Sequence, residues 1–158
     1  MRWNRIFRCL FCLVFFFQFF LPSSPFAAPL TTKYFSLELP PDWIVLEGPK
    51  KEKGLVRVHL GSKDHSSSVQ IMVMQVQPGD VEKAASSYAK RLKAGKPRRA
   101  NGQLVIPFTQ QGIDGYCLLR EDSMNKLMLV LAASGDLEKI DFVYQMRGPY
   151  QSLKPVKP

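Results

Sequence analysis

Val69–Val76 reads VQIMVMQV, with Val69, Ile71 and Val73 on one side of an extended chain and Met72, Met74 and Val76 on the other. A strand that is apolar on both faces must be covered on both, which places it inside a sheet with a layer above and a layer below. Leu127–Ala133 (LMLVLAA) has the same character. Pro78-Gly79 stops the first of these strands. Asp80 then reads as the N-cap of a helix, with Glu82 in the first turn, where the helix dipole favours an anion. Val81, Ala84, Ala85, Tyr88, Ala89 and Leu92 recur at helical spacing, and Gly95 and Pro97 read as the stop.

Upstream, Val56, Val58 and Leu60 alternate with polar neighbours, Trp43–Glu47 (WIVLE) is extended, and Phe35, Leu37 and Leu39 form a further period-two run. Downstream, Gln103–Gln110 contains Pro107, which marks an edge or a bulge. Asn101-Gly102 is a hairpin signal, Tyr116–Leu119 is another short strand, and Asp136 caps a helix to about Arg147 with Leu137, Ile140, Val143 and Tyr144 facing inward. Short connections imply antiparallel neighbours. The expectation is therefore an α+β fold: a mostly antiparallel sheet of about seven strands flanked by helices on both faces. Residues 31–148 form the single domain, and the Lys/Pro-rich segment 149–158 is expected to be a flexible tail.

The N-terminus differs in character. Arg2, Arg5 and Arg8 precede the apolar run Cys9–Leu21, and Pro22–Ala28 is rich in small residues. This is the layout of a secretory signal peptide over residues 1–28. A thirteen-residue helix at ~1.5 Å per residue is too short for a ~30 Å hydrocarbon core. Pro25 and Pro29 lie close to the candidate cleavage sites after Ala27 and Ala28, so cleavage and retention as an inner-membrane anchor both stay open. Either way the domain is expected to be periplasmic or otherwise exported. Removing those three arginines from 22 Lys+Arg against 13 Asp+Glu leaves a domain with a net charge of about +6. Outside the cytoplasm, lipid headgroups, envelope polysaccharides and acidic proteins supply the anions; nucleic acid is not an expected partner.

Phe35-Ser36-Leu37-Glu38-Leu39-Pro40-Pro41-Asp42-Trp43 resembles the opening of the PsbP/DcrB-like family, whose pattern ends in Pro-x-[Gly/Asp]-Trp. The family includes an extrinsic subunit of photosystem II and a yeast Ran-binding nuclear import factor. The Gly115-Tyr116 strand and the capped C-terminal helix agree with it in element order over residues 33–148. Pro40 would break the first strand, and Trp43 would re-enter to seal the core. The resemblance implies an α/β/α sandwich and a binding or assembly role without catalysis. It identifies no partner, because the partners of its members have nothing in common. The chain also lacks the lipid-attachment cysteine of DcrB-type proteins.

Few residues carry the pattern of a known chemistry. Cys9 and Cys12 lie inside the apolar run, and Cys117 sits in an apolar strand as a small hydrophobe. His59 and His65 are the only histidines, and Met72 and Met74 the only Met-x-Met pair. An envelope enzyme or copper carrier built on those four is the alternative reading. No nucleophile elbow, phosphate loop or dinucleotide fingerprint is present in the domain, and no cofactor is implied. What stands out is charge. Lys90, Arg91, Lys93, Lys96, Arg98 and Arg99 place six bases in ten residues with no acid among them. A helix C-terminus accounts for Lys90–Lys93 but not for Arg98 and Arg99. The expectation is an anion-docking patch on one side of an exported, non-enzymatic accessory module. Its partner would be an envelope protein complex or an anionic membrane surface, and the oligomeric state is not specified.

Overall fold

The computed structural model of the chain describes residues 29–52 and 54–158. The expected signal segment, residues 1–28, lies outside the described residues. Among the described residues no helix is long and apolar enough to cross a membrane.

The fold is mixed α+β, a seven-stranded antiparallel sheet with two helices packed against it. Its strands are β3 (Trp43–Glu52), β4 (Leu55–Ser62), β5 (Ser67–Gln75), β6 (Arg98–Ala100), β7 (Gln103–Gln110), β8 (Ile113–Asp122) and β9 (Leu127–Gly135), in the spatial order β3-β4-β5-β9-β8-β7-β6. A separate two-stranded ribbon pairs β1 (Leu30–Thr31) with β2 (Ser36–Leu37). The doubly apolar strands β5 and β9 are neighbours in the interior of the sheet, as their covered faces require.

Pleat alternation divides the core in two. Val58 and Leu60, Ile71 and Val73, Leu129 and Leu131, Leu118 and Val105 point to one side. Met72, Met128, Val130, Cys117, Leu119, Leu104 and Ile106 point to the other. The second side is roofed by helix α1 (Asp80–Arg91) through Val81, Ala85 and Ala89. The first is roofed by the helix Leu137–Gln145 through Ile140 and Val143. Trp43 is buried, its ring packed on Phe142 at 4.7 Å between centroids.

Five expectations are corrected. Phe35, Leu37 and Leu39 are buried as their spacing implied, but their segment is not a strand of the main sheet. It straps across the core, and Ser36 exchanges backbone hydrogen bonds with Arg147 instead of with a sheet neighbour. The seventh place goes to Arg98–Ala100, hairpinned onto β7 through Asn101-Gly102, both with positive φ. Asp80 is not the N-cap: Gly79 is, and the Asp80 carboxylate accepts from the Gln77 N–H at 2.9 Å. The C-terminal helix is 3-10, so its inward residues recur every three positions and its end falls at Gln145.

The fifth correction concerns residues 149–158, which are packed and not a loose tail. Leu153 is buried, Arg120 donates to the Lys154 carbonyl at 2.6 Å, and Lys157 pairs with Asp141 at 2.8 Å. Gln103, itself buried, accepts from the Val156 N–H at 3.1 Å and donates to its carbonyl. Buried polar groups need partners, and this segment supplies those of Gln103.

Candidate functional site

The six bases lie where α1 ends and β6 begins, and all six are exposed. The helix does not stop at Gly95. It ends at Arg91 with Leu92 as its C-cap, and the next residue, Lys93, takes φ 52°, while the Lys93 N–H reaches the Lys90 carbonyl and the Ala94 N–H the Ala89 carbonyl. This is the left-handed helix ending that glycine usually provides, built here on a lysine. The reversal carries Lys93 out of the helix and over the rim of β7.

The cluster does not act as one face. Arg98 is the cross-strand partner of Val105, on the side of the 3-10 helix, and Arg99 is the partner of Leu104, on the side of α1. Arg99 reaches back to Glu82 in the first turn of α1 and forms an ion pair with it. Arg91 lies over the Tyr88 ring, 4.7 Å from its centroid. Lys90, Lys93, Lys96 and Arg98 have no carboxylate within ion-pair distance among the described residues.

Two open grooves flank this turn. One, of about 550 Å³, is walled by Lys93, Arg98, Val105, Pro107, Phe108 and Tyr116. The other, of about 650 Å³, has Arg91, Lys93, Phe108, Gln110 and Ser134 along it. Lys93 stands between them. One acidic side chain, Asp114, borders the first groove and accepts from the Thr109 hydroxyl at 2.7 Å. No serine, cysteine or histidine lines that groove. The hollow beneath the strap, by contrast, holds about 10 Å³, room for roughly one water. Phe108 and Tyr116 had no signal in the sequence as groove residues. Their place beside Lys93 comes from the β7–β8 pairing and the helix ending together.

The residues of the alternative reading are dispersed. Met72 and Met74 pack within the core beneath α1. His59, on β4, bonds through Nε2 to the Ser68 hydroxyl at 2.8 Å, and His65 sits exposed in the β4–β5 turn. Among the described residues no three His, Cys, Asp or Glu side chains are grouped to hold a metal ion. Cys117 is fully buried, and burial pushes its thiol up to about 12. Glu121 and Asp122, the adjacent carboxylates, work apart: Glu121 accepts from the Gly79 N–H, and Asp122 is buried against Asn125 and Ser152.

The chain matches no known family model, no curated protein and no solved structure.

Proposed function

We infer that the protein is an exported, non-catalytic accessory module of the cell envelope that docks on an acidic protein segment through the rim formed by Lys90, Lys93, Lys96 and Arg98. One observation carries this reading. Six of the 13 carboxylates pair with bases outside this rim: Glu47 with Lys50 and Arg57, Asp64 and Asp136 with Lys139, Asp80 with Lys83, Glu82 with Arg99, Asp141 with Lys157. The surplus of positive charge is thereby left most concentrated in one turn. The groove beside it supports a protein partner over a flat lipid surface, because Val105, Pro107 and Phe108 give it an apolar wall that side chains can enter. The resemblance of Phe35–Trp43 to the PsbP/DcrB-like opening agrees with a binding role.

The test is cross-linking in the native envelope, with the photoreactive residue placed at Lys96, followed by mass-spectrometric identification of the partner. Reversing Lys93 and Arg98 to Glu should abolish the cross-link. Reversing Lys63 and Lys126, exposed lysines in other turns, should not. Equal loss from both double variants would reduce the effect to net charge, and binding only to vesicles of anionic phospholipid would replace the protein partner with the membrane.

A further inference from the structure

The two ends of the sheet are finished differently. At one end β6 has three residues, two of them exposed arginines, and the uncovered remainder of β7 presents Pro107, which has no N–H. Short strands, charge and proline are the usual guards against edge pairing. At the other end β3 runs for ten residues and is guarded in the same manner from Leu46 onward. The register slips between Val45 and Glu47 and again between Glu47 and Lys50, with Pro49 inside the second slip. The stretch Trp43–Leu46 carries no charge and no proline, and its one irregularity is the slip at Leu46. Ile44, Val45 and Leu46 are 37%, 42% and 50% exposed, three of the six large hydrophobic residues exposed on the described surface.

The backbone of this stretch is oriented by its neighbours. The Asp42 carbonyl accepts from the Lys63 N–H, and Ile44 is the register partner of Gly61, so residues 42 and 44 turn toward β4. Trp43 and Val45 therefore turn outward. The Trp43 N–H is taken by the Pro40 carbonyl at 3.0 Å. Val45 is left with both an N–H and a C=O directed away from the sheet, and β3 has no strand neighbour on that side among the described residues. Leu46 lies over Gly61, the partner of Ile44, so Ile44 and Leu46 share the face of α1. The core under α1 draws no fully buried residue from β3 or β4, only the partly buried Leu55, so among the described residues the part of the face around Ile44 and Leu46 is unroofed.

We propose that the β3 edge pairs antiparallel, about a two-fold axis, with β3 of a second copy of this chain. With Val45 opposite its counterpart, the two residues exchange N–H···O=C bonds. Ile44 of each copy then meets Leu46 of the other, so apolar side chains cover apolar side chains on the unroofed face. Charge favours the same arrangement. Antiparallel pairing brings the Asp42 end of one strand alongside the Lys50 end of the other, whereas parallel pairing would align each with its like. The pairing closes at two copies, because the opposite edge of each sheet is guarded.

The experiment places a photoreactive residue at Ile44 in the full chain within the native envelope. The expected product is a covalent dimer joining residues near 44 and 46 of two copies, retained in 1 M salt because backbone bonds and apolar contacts hold it. Val45→Pro removes the outward N–H and fixes φ, and Val45→Lys adds a charged guard; both should abolish the dimer. Circular dichroism on each confirms the fold, so loss in either folded variant counts. Arg98→Glu should leave the dimer intact, which separates this surface from the basic rim. A cross-link to a different protein, or none at all, overturns the proposal.

Discussion

Arg99 is ion-paired with Glu82, and its sequence neighbour Arg98, on the opposite face of the sheet, has no acidic partner among the described residues. Adjacent strand residues always diverge in this way, so the two arginines make unequal contributions. Arg98→Glu should weaken partner binding several-fold more than Arg99→Glu, measured by titration at low salt. Both should leave the melting midpoint nearly unchanged, because exposed pairs add little to stability. Raising salt to 1 M shortens the screening length to ~3 Å and should release the partner from the wild type.

Lys93 offers a substitution whose two effects have opposite signs. Its left-handed backbone, φ 52°, costs a lysine about 1 kcal/mol that glycine does not pay. Lys93→Gly should raise stability by up to that amount while removing a charge shared by both grooves. A urea melt and a binding titration on the same sample read the two effects. A stability loss would show that the lysine side chain, and not the helix ending, holds the turn.

Trp43 is 3% exposed and packs on Phe142. Truncating it to Ala removes the contact that joins β3 to the 3-10 helix and should cost ~3–5 kcal/mol in urea unfolding. Gly148→Ala should also destabilise, for a different reason. A Cβ at position 148 would stand 2.3 Å from the Tyr34 carbonyl oxygen, forcing the strap away from the chain leaving the 3-10 helix. The expected cost is ~1–3 kcal/mol. Faster hydrogen exchange at Ser36 and Arg147 would locate it.

Cys117 supplies a pH dependence. Burial disfavours the thiolate and pushes the folded thiol up to about 12, against an unfolded value of ~8.5. Below the unfolded value both states hold the proton and nothing changes. Above it the unfolded chain releases the proton first, so this residue reduces stability by at most ~1.4 kcal/mol per pH unit as pH rises toward the folded value. Cys117→Ala should flatten that slope between pH 8.5 and 10. Mass-mapped alkylation at pH 8 should leave Cys117 unmodified until the protein is unfolded.

Much of the fold follows from short-range pattern. The alternation in Val69–Val76 and Leu127–Ala133 assigned side chains to faces, and the Asn101-Gly102 pair marked a two-residue turn. These are local consequences of pleat geometry and of residues that tolerate positive φ. The basic cluster was equally legible as composition, because six bases in ten residues are visible without coordinates. Its geometry was not. The sequence could not show that Glu82, seventeen residues before Arg99, would neutralise it, nor that Phe108 and Tyr116 would build a groove beside Lys93.

The same boundary runs through the rest of the molecule. Period-two spacing states which side of a strand is buried, and the burial of Phe35, Leu37 and Leu39 was determined in that way. Periodicity does not state which strand lies alongside, because backbone hydrogen bonding is the same for every sequence. Tertiary structure alone therefore decided that Phe35–Leu39 straps the core while Arg98–Ala100 takes the seventh place in the sheet. It likewise tied residues 149–158 down through Gln103, and it left Val45 with an N–H and C=O that face no strand among the described residues. Each of these outcomes depends on contacts between residues far apart in the chain, and local pattern carries no information about them.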